Sequence, residues 1–411
     1  MVPAETIRRA TLWTTLAVSA FASIEPSPYE FMFAALVIVF ARRHLIFDKT
    51  MAPMILAMAI YNVAGLIALA PYVDESRSVT YTYTTVYISL TMIVFAPLVA
   101  DRPEARMKTI RSGYVFAALI ASALALLGYF DVAGLGPYFT LYEGTRAMGP
   151  FKDPNVFAPF LILPILWLVQ DILLRRGANI SSLIMLAPML AGLGLSFSRG
   201  AVVDAFASVA MLFALTFLAA ARPSERRRML ILAVIAGFVV AGFIAIAFAI
   251  PSVREMAIER ASLTQDYDVG ELGRFGNQIR AIPLLLERPL GFGPLRFGEF
   301  FPQDPHETFL STFASYGWAG GLAFAAFTAT TLYVGWSLAL RRSPFQAEAI
   351  ALWSACFPQI LQGVQIDTEH WRHLYLITGC IYGLAAAARR VQATKRSSTP
   401  IAAEAAVSTA P

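Results

Sequence analysis

The chain has 411 residues, of which 57% are hydrophobic and only 14% are charged, and its formal net charge is +5. Soluble domains are about 25% charged, so this composition excludes an ordinary soluble protein and predicts a chain that lies largely in a membrane. The sequence predicts a single integral membrane domain over residues 1–396. The remaining residues, 397–411, are small and polar and are expected to form a disordered tail.

Runs of about 20 apolar residues can cross a bilayer, and a crossing segment satisfies its own backbone hydrogen bonds as a helix. The chain contains about twelve such runs, so it is predicted to be an all-α polytopic membrane protein. The runs lie at residues 8–24, 28–41, 51–70, 80–100, 111–130, 154–170, 179–197, 200–220, 229–250, 307–338, 346–364 and 373–388.

The connections between these runs alternate in their content of arginine and lysine. Basic pairs such as Arg42/Arg43, Arg175/Arg176 and Arg341/Arg342 all fall in connections on the same side. Because basic connections remain in the cytoplasm, both termini are predicted to be cytoplasmic. The two long connections, 131–153 and 251–306, then lie outside, and the second precedes the tenth helix.

Two external segments place basic residues beside the start of a helix. In LSFSRGAVVD (195–204), Ser198 is a predicted N-cap that places Arg199 in the first helical turn. In GTRAMGPFKDPNVFAPF (144–160), Asp153 is a predicted N-cap, with Arg146 and Lys152 shortly before it. Arginine is suited to phosphate groups, so these residues are candidate ligands of a phosphate-bearing substrate.

A third external segment, GELGRFGNQIRAIPLLLERP (270–289), carries Arg274 and Arg280. Its apolar residues recur at helical spacing, which predicts a helix over residues 274–288 on the membrane surface. Arg296 lies further along the same connection. Arg274 is a candidate phosphate ligand, and Arg280 and Arg296 are candidate substrate contacts. The alternative is that such arginines only balance the acidic residues of a long loop.

The stretch DPHETF (304–309) places one of the chain's four histidines before the tenth apolar run. The pattern predicts Asp304 as an N-cap, with His306 and Glu307 in the first turn. The positive end of a helix disfavours a charged imidazole, so a neutral ring that can accept a proton is expected. His306 is therefore the predicted catalytic base, and Glu307 is a candidate substrate contact.

Charged and aromatic residues are concentrated in QIDTEHWRHLY (365–375), where the last apolar run begins. His370 and His373 have a spacing that could bind a metal, but no third ligand is evident. A turn that closes over the site or contacts substrate is favoured instead, with His370, Arg372 and His373 as candidate contacts. The sequence predicts neither a metal site nor a cofactor.

Three stretches resemble the O-antigen ligase and polymerase family of bacterial inner-membrane proteins. They are RAMGPFKDPNVFAPF (146–160), LSFSRGAVV (195–203) and GFGPLRFGEFFPQDPHETFLSTFASYGWAGG (291–321). The predicted layout, with a long periplasmic loop before the tenth helix, is also similar. Family members often carry asparagine where this chain has Glu307.

The resemblance implies a C-type glycosyltransferase fold and a metal-independent, inverting enzyme. Such an enzyme transfers a glycan from undecaprenyl diphosphate to an acceptor sugar hydroxyl at the periplasmic face of the inner membrane. It also implies that Arg199 and Arg274 hold the diphosphate and that His306 acts in catalysis.

The sequence leaves the acceptor open. A ligase uses lipid A core, whereas a polymerase for O-antigen or exopolysaccharide uses a second lipid-linked glycan. A transporter of lipid-linked glycan is the alternative class of protein, but transporters carry ionisable groups near the bilayer midplane. Here the charges gather at one face, and no nucleic-acid partner is expected.

Overall fold

The computed structural model describes residues 3–41, 45–142, 145–174, 180–220, 222–249, 254, 270 and 273–408. Within these ranges the chain is helical apart from turns and one short antiparallel β-pair. In that pair, Thr140 faces Ala147 and Leu141 faces Arg146. The structure thus confirms the all-α class.

The described residues of the first half of the chain form seven α-helices. They are α1 (Ala4–Ala17), α2 (Pro28–Phe40), α3 (Ala52–Leu69), α4 (Ser76–Asp101), α5 (Pro103–Tyr129), the single-turn α6 (Gly136–Phe139) and α7 (Pro154–Leu174). Within the described residues of the second half lie α8 (Ile180–Leu195), α9 (Arg199–Leu215), α10 (Pro223–Ala249), α11 (Arg274–Leu286), α12 (Thr308–Leu340), α13 (Gln346–Gln362) and α14 (Arg372–Ser408). Short 3-10 turns occupy Lys49–Met51, Ala70–Tyr72, Val132–Gly134 and Phe297–Glu299, and a π-turn, Thr216–Ala220, follows α9.

Six helical segments in the described part of the chain are long and apolar enough to cross a membrane. They are Lys49–Tyr72, Ser76–Asp101, Pro103–Tyr129, Pro154–Leu174, Arg199–Ala219 and Thr308–Leu340. Two shorter apolar helices, Pro28–Phe40 and Ile180–Leu195, accompany them. The protein is therefore a multi-pass helical membrane protein, whereas the count of about twelve spans remains a prediction.

The first and last predicted segments differ from the structure. The run 8–24 was expected to be one helix, but α1 ends at Ala17. The chain turns there because the N–H groups of Ala22 and Ser23 donate to the carbonyl of Pro150 instead of continuing the helix. At the other end, α14 continues to Ser408, so most of the predicted disordered tail is helical. Its alanine-rich composition favours a helix, which the expectation from polarity overlooked.

Among the described residues, the two largest clusters of buried apolar side chains form most of the core. The larger cluster contains the fully buried Trp167 and Trp353 and joins α1, α2, α5, α7 and α13. The smaller cluster, which includes Met58 and Tyr61, joins α3 to α12. Helices α4 and α14 contribute to both clusters and pack along one another, so this pair forms the wall between the two halves.

Helix α12 is interrupted at Gly317, where φ is 68° and ψ is −166°. The segment after α11 enters this break: the Trp318 N–H donates to Pro289 O at 2.9 Å, and the Phe292 N–H donates to Ala314 O at 2.7 Å. A Cβ on residue 317 would lie 2.2 Å from Pro289 O. Glycine is therefore required there by both the left-handed backbone and the close contact.

Replacing Gly317 by alanine is predicted to destabilise the fold by about 1–3 kcal/mol, because the strained backbone and the contact with Pro289 both oppose a side chain. The thermal unfolding midpoint of the purified protein in detergent measures this effect. Gly194→Ala is the matched control, because a Cβ on Gly194 in α8 meets no atom within 4 Å. Equal midpoints for the two variants would contradict the assignment of the break.

Candidate active site

The connection between α13 and α14, residues 363–371, is here called the connecting turn. Thr308, the first residue of α12, is fully buried and holds this turn by hydrogen bonds. Its N–H donates to Gly363 O at 2.7 Å, its hydroxyl donates to Ile366 O at 3.0 Å, and the Thr368 N–H donates to that hydroxyl at 2.8 Å. The turn is thereby fixed against the residues that precede α12.

His306 lies just before α12 and faces the connecting turn. Its Nδ1 atom is 3.7 Å from a carboxylate oxygen of Asp367, and its side chain remains 50% exposed. Because Nδ1 faces the carboxylate, Nε2 points to the other side of the ring, where a substrate could bind. The pair resembles in its chemistry the histidine and aspartate of proton-transfer sites, in which the carboxylate orients the imidazole.

The predicted capping pattern of DPHETF is wrong by three residues. The N-cap of α12 is Glu307, whose carboxylate accepts from the N–H groups of Phe309 at 3.0 Å and Leu310 at 2.5 Å. His306 has a left-handed φ of 45°, which is incompatible with a helical turn. His306 therefore stands outside the helix, and the Glu307 side chain is committed to capping.

Arg274 is brought to the same turn. It begins α11, as the helical spacing predicted, and its guanidinium donates to Gln365 O at 3.5 Å. One turn further on, Gln278 donates to Pro305 O at 2.5 Å. These two contacts place the start of α11 against both the connecting turn and the backbone next to His306.

The start of α9, which carries Arg199, lies next to the end of α13. The structure confirms Ser198 as the N-cap of α9, with Arg199 as its first residue. A Cβ on Gly200 would lie 2.5 Å from the side-chain nitrogen of Gln362, the last residue of α13. The start of α9 therefore contacts the chain immediately before the connecting turn.

Arg146 ties two helix starts together. Its guanidinium donates to Ser196 O at 2.9 Å and to the Asn155 side-chain oxygen at 3.0 Å, and the Ser198 hydroxyl donates to that same oxygen at 2.8 Å. Asp153 caps α7 as predicted, because its carboxylate accepts from the Asn155 N–H at 2.7 Å. Arg146 thus holds the α7 and α9 starts in register.

Residues 184–325 match the family model described as O-antigen ligase. The match confirms the resemblance that the sequence motifs indicated, and it includes Arg199, Arg274 and His306. No match was found among the curated proteins.

Six of the candidate residues lie within the matched residues, namely Arg199, Arg274, Arg280, Arg296, His306 and Glu307, whereas the connecting turn lies outside them. Lys152, His370, Arg372 and His373 also lie outside them. These four line a cavity of about 600 Å³ beside the turn, which His306, Arg199 and Arg274 do not line. Lys152 pairs there with Glu25 and does not join Arg146.

Arg280 and Arg296 are held by other contacts. Arg280 lies over the ring of Phe301 at 5.6 Å. Arg296 forms an ion pair with Glu75 and lies over the ring of Tyr72 at 4.2 Å, which anchors the segment after α11 to the start of α4. Among the described residues, no three His, Cys, Asp or Glu side chains are arranged to hold a metal ion.

Sequence reasoning left Asp367 and Asn155 out of the site. Asp367 lies in a run of charged residues, and a catalytic histidine such as His306 often has a carboxylate partner. The two residues are 61 positions apart, so the sequence gives no sign that they form a pair. Asn155 follows the predicted cap Asp153 and had no separate signal. Both were missed because their roles depend on contacts between distant segments.

Two carboxyl groups of the turn have unusual electrostatics. Burial raises the pKa of Asp367, and the nearby His306 opposes that shift. Burial, reinforced by the charge of Asp367, raises the pKa of Glu369. The Glu369 oxygen accepts from the hydroxyls of Tyr81 and Ser311, each at 3.1 Å. The turn is thus linked to α4 as well as to α12.

Glu369→Gln is predicted to stabilise the protein in a pH-dependent way. Because the folded-state pKa of Glu369 lies above the unfolded value, its contribution to stability is complete at low pH and is lost as pH rises toward the folded pKa. Glutamine mimics the protonated acid, so the gain in unfolding midpoint should be larger at about pH 8 than at about pH 5. Equal gains at both pH values would contradict the raised pKa.

Thr308→Val is predicted to destabilise the protein by about 1–3 kcal/mol, because it leaves the buried Thr368 N–H and Ile366 carbonyl without their partner. The unfolding midpoint in detergent measures the loss. Thr11→Val is the control, because the exposed Thr11 hydroxyl donates only to Ile7 O in its own helix. If both variants behave alike, the turn is not held by Thr308.

Proposed function

We propose that this protein is a membrane glycosyltransferase of the O-antigen ligase type. It transfers a glycan from undecaprenyl diphosphate to a sugar hydroxyl of lipid A core, at the periplasmic face of the bacterial inner membrane. The observation that carries the proposal is that His306 and Arg274 meet at the connecting turn, while the start of α9 contacts Gln362 immediately before it. These segments come from distant parts of the chain and supply the groups that such a transfer needs.

The reaction needs stabilisation of a departing diphosphate. The acceptor oxygen attacks the anomeric carbon, the bond from that carbon to the diphosphate oxygen breaks, and the diphosphate leaves with the electron pair. Arg199 and Arg274 are proposed to bind the developing charge, assisted by the positive end of α9. Arg146 is proposed to act indirectly, by holding the starts of α7 and α9 together. One such displacement inverts the anomeric carbon.

The reaction also needs a base for the acceptor hydroxyl. His306 Nε2 is proposed to take that proton, while Asp367 at Nδ1 orients the ring and stabilises the charge that forms on it. Asp367 is thus a positioning residue. The half-exposed ring of His306 supports this role, because a base must be reachable by a substrate. No step of this scheme requires a metal or a cofactor.

Replacing His306 by alanine is predicted to lower the rate of glycan transfer by about 10²–10⁴, because the acceptor hydroxyl then has no base. Arg274→Ala should lower it by about 10²–10³ through loss of charge stabilisation. Rates are measured with purified protein, undecaprenyl-diphosphate-linked glycan and lipid A core. Arg288→Ala is the control, because Arg288 lies over the ring of Phe300 at 4.8 Å, away from the connecting turn. Wild-type rates in both test variants would contradict the assignment.

A polymerase is the second candidate, because it would use the same donor chemistry with a lipid-linked glycan as acceptor. Both termini are proposed to be cytoplasmic in either case, which leaves the site in the periplasm. A transporter of lipid-linked glycan would instead move its substrate across liposomes that contain the purified protein. Such movement without transfer would favour that class over both enzymes.

A further inference from the structure

The cavity of about 600 Å³ is a second site beside the connecting turn. It lies against α4, the start of α7 and the end of the turn. Its volume is that of a small-molecule site, about 300–1,000 Å³. Its lining mixes aromatic and aliphatic side chains with hydroxyl groups, such as those of Thr80 and Thr84. This lining suits a ligand with both apolar faces and hydroxyl groups.

The cations of the cavity do not form a diphosphate site. Lys152 is paired with Glu25, and Arg372 donates to the Glu30 carboxylate at 3.3 Å and lies 4.5 Å over the ring of Tyr29. Arg77 is exposed and has no ion pair within the described residues. One uncommitted arginine is a weak ligand for a diphosphate, which needs several charges. The proposed diphosphate ligands Arg199 and Arg274 lie elsewhere.

His370 presents a defined hydrogen-bonding group to the cavity. Its Nε2 is 2.8 Å from the Thr85 hydroxyl, which also lies 3.1 Å from Tyr81 O and receives the Tyr316 hydroxyl at 2.7 Å. A hydroxyl has one hydrogen and two lone pairs. If its hydrogen goes to the Tyr81 carbonyl, which cannot donate, the lone pairs accept from Tyr316 and from His370. His370 therefore carries its hydrogen on Nε2.

The other ring nitrogen, Nδ1, then has a free lone pair. Nδ1 makes no hydrogen bond within the described residues, and the half-buried side chain lines the cavity. The ring packs against Tyr81 with centroids 4.4 Å apart, so its orientation is fixed. Burial lowers the pKa of His370 to about 4, which keeps the ring uncharged near neutral pH. The group is thus a fixed, neutral hydrogen-bond acceptor.

We propose that this cavity binds the saccharide of the acceptor, and that Nδ1 of His370 accepts a hydrogen bond from one of its hydroxyls. The inference rests on the proposed function, which requires an acceptor sugar. The bound part of the acceptor lies next to the sugar that reacts, and the connecting turn separates it from His306. His370 is a recognition residue in this arrangement and takes no proton from the reacting hydroxyl.

The cavity and the proposed catalytic pair are joined through the turn. Tyr81 lines the cavity and donates to Glu369, and Glu369 is two positions from Asp367. Thr85, which holds His370, lies one helical turn beyond Tyr81 on α4. The cavity is therefore connected through Tyr81 and Glu369 to the turn that carries Asp367.

Two substitutions of His370 separate recognition from structure. In His370→Gln, the amide nitrogen takes the place of Nε2 and can still donate to Thr85, but no acceptor remains at the position of Nδ1. In His370→Asn, the shorter amide can supply an acceptor near Nδ1 but does not reach Thr85. The first variant tests the proposed contact, and the second is its matched control.

Binding is measured with full-length protein that also carries His306→Ala and with one probe at a time, so that transfer does not interfere. The probes are lipid A core, undecaprenyl diphosphate with a single repeat unit, and undecaprenyl diphosphate without sugar. His370→Gln is expected to raise the Kd of the probe that serves as acceptor on the order of 5-fold to 10-fold. Lipid A core would identify a ligase acceptor, and the single repeat unit would identify a polymerase acceptor. The sugar-free lipid should bind as before, and the unfolding midpoint should stay unchanged.

His370→Asn should show the opposite pattern, with a lower unfolding midpoint and a smaller loss of acceptor binding. The inference is overturned if His370→Gln weakens neither sugar-bearing probe. It is also overturned if the sugar-free lipid weakens equally, because the cavity would then hold the donor diphosphate. Absence of glycan transfer by the protein with His306 intact would instead refute the proposed function. The binding measurements do not depend on transfer, so the two failures can be told apart.

Discussion

The hydroxyl group of Thr308 is the contact on which the candidate site depends. It joins the start of α12 to a turn that lies more than fifty positions later in the chain, and both its hydrogen and its lone pairs are used. Because the turn is fixed there, Asp367 faces His306 and the carbonyl of Gln365 meets Arg274. A shift of this turn would separate the carboxylate from the imidazole. Catalytic groups that must be placed within about 1 Å require such a supported backbone.

The candidate site contains both arginines and carboxyl groups. The arginines proposed to bind phosphate lie at helix starts, where the helix dipoles already favour an anion. In the connecting turn, burial raises the pKa of both Asp367 and Glu369, which opposes full ionisation of these two carboxyl groups. Fewer negative charges in this turn mean less competition with an anionic substrate of the proposed site.

Much of this arrangement could be predicted from the sequence because it is local. Apolar runs, the caps at Asp153 and Ser198, and the helix that begins at Arg274 all follow from patterns within a few neighbouring residues. The cap of α12 was misplaced because Glu307 competes with Asp304 for that role, and the left-handed backbone of His306 has no sequence signature.

The contacts between distant segments could not be predicted in this way. Nothing in the sequence pairs Thr308 with Thr368, or Arg146 with Asn155, since these contacts follow from how the helices pack. The cavity beside the turn is likewise a product of packing. Lys152 lines this cavity and pairs with Glu25, whereas Arg146, only six positions away in the chain, donates to Ser196 and Asn155.

The most direct test of the central claim is a gel that compares surface glycolipid with lipid-linked glycan in cells that lack this protein. The cells are complemented with either the wild-type chain or the His306→Ala variant. The account predicts the same result for cells without complementation and for cells with the variant: long glycan accumulates on undecaprenyl diphosphate, and the lipid A core stays bare. The wild-type chain should restore the modified core. Full restoration by His306→Ala, or unchanged pools in the cells without complementation, would contradict the account.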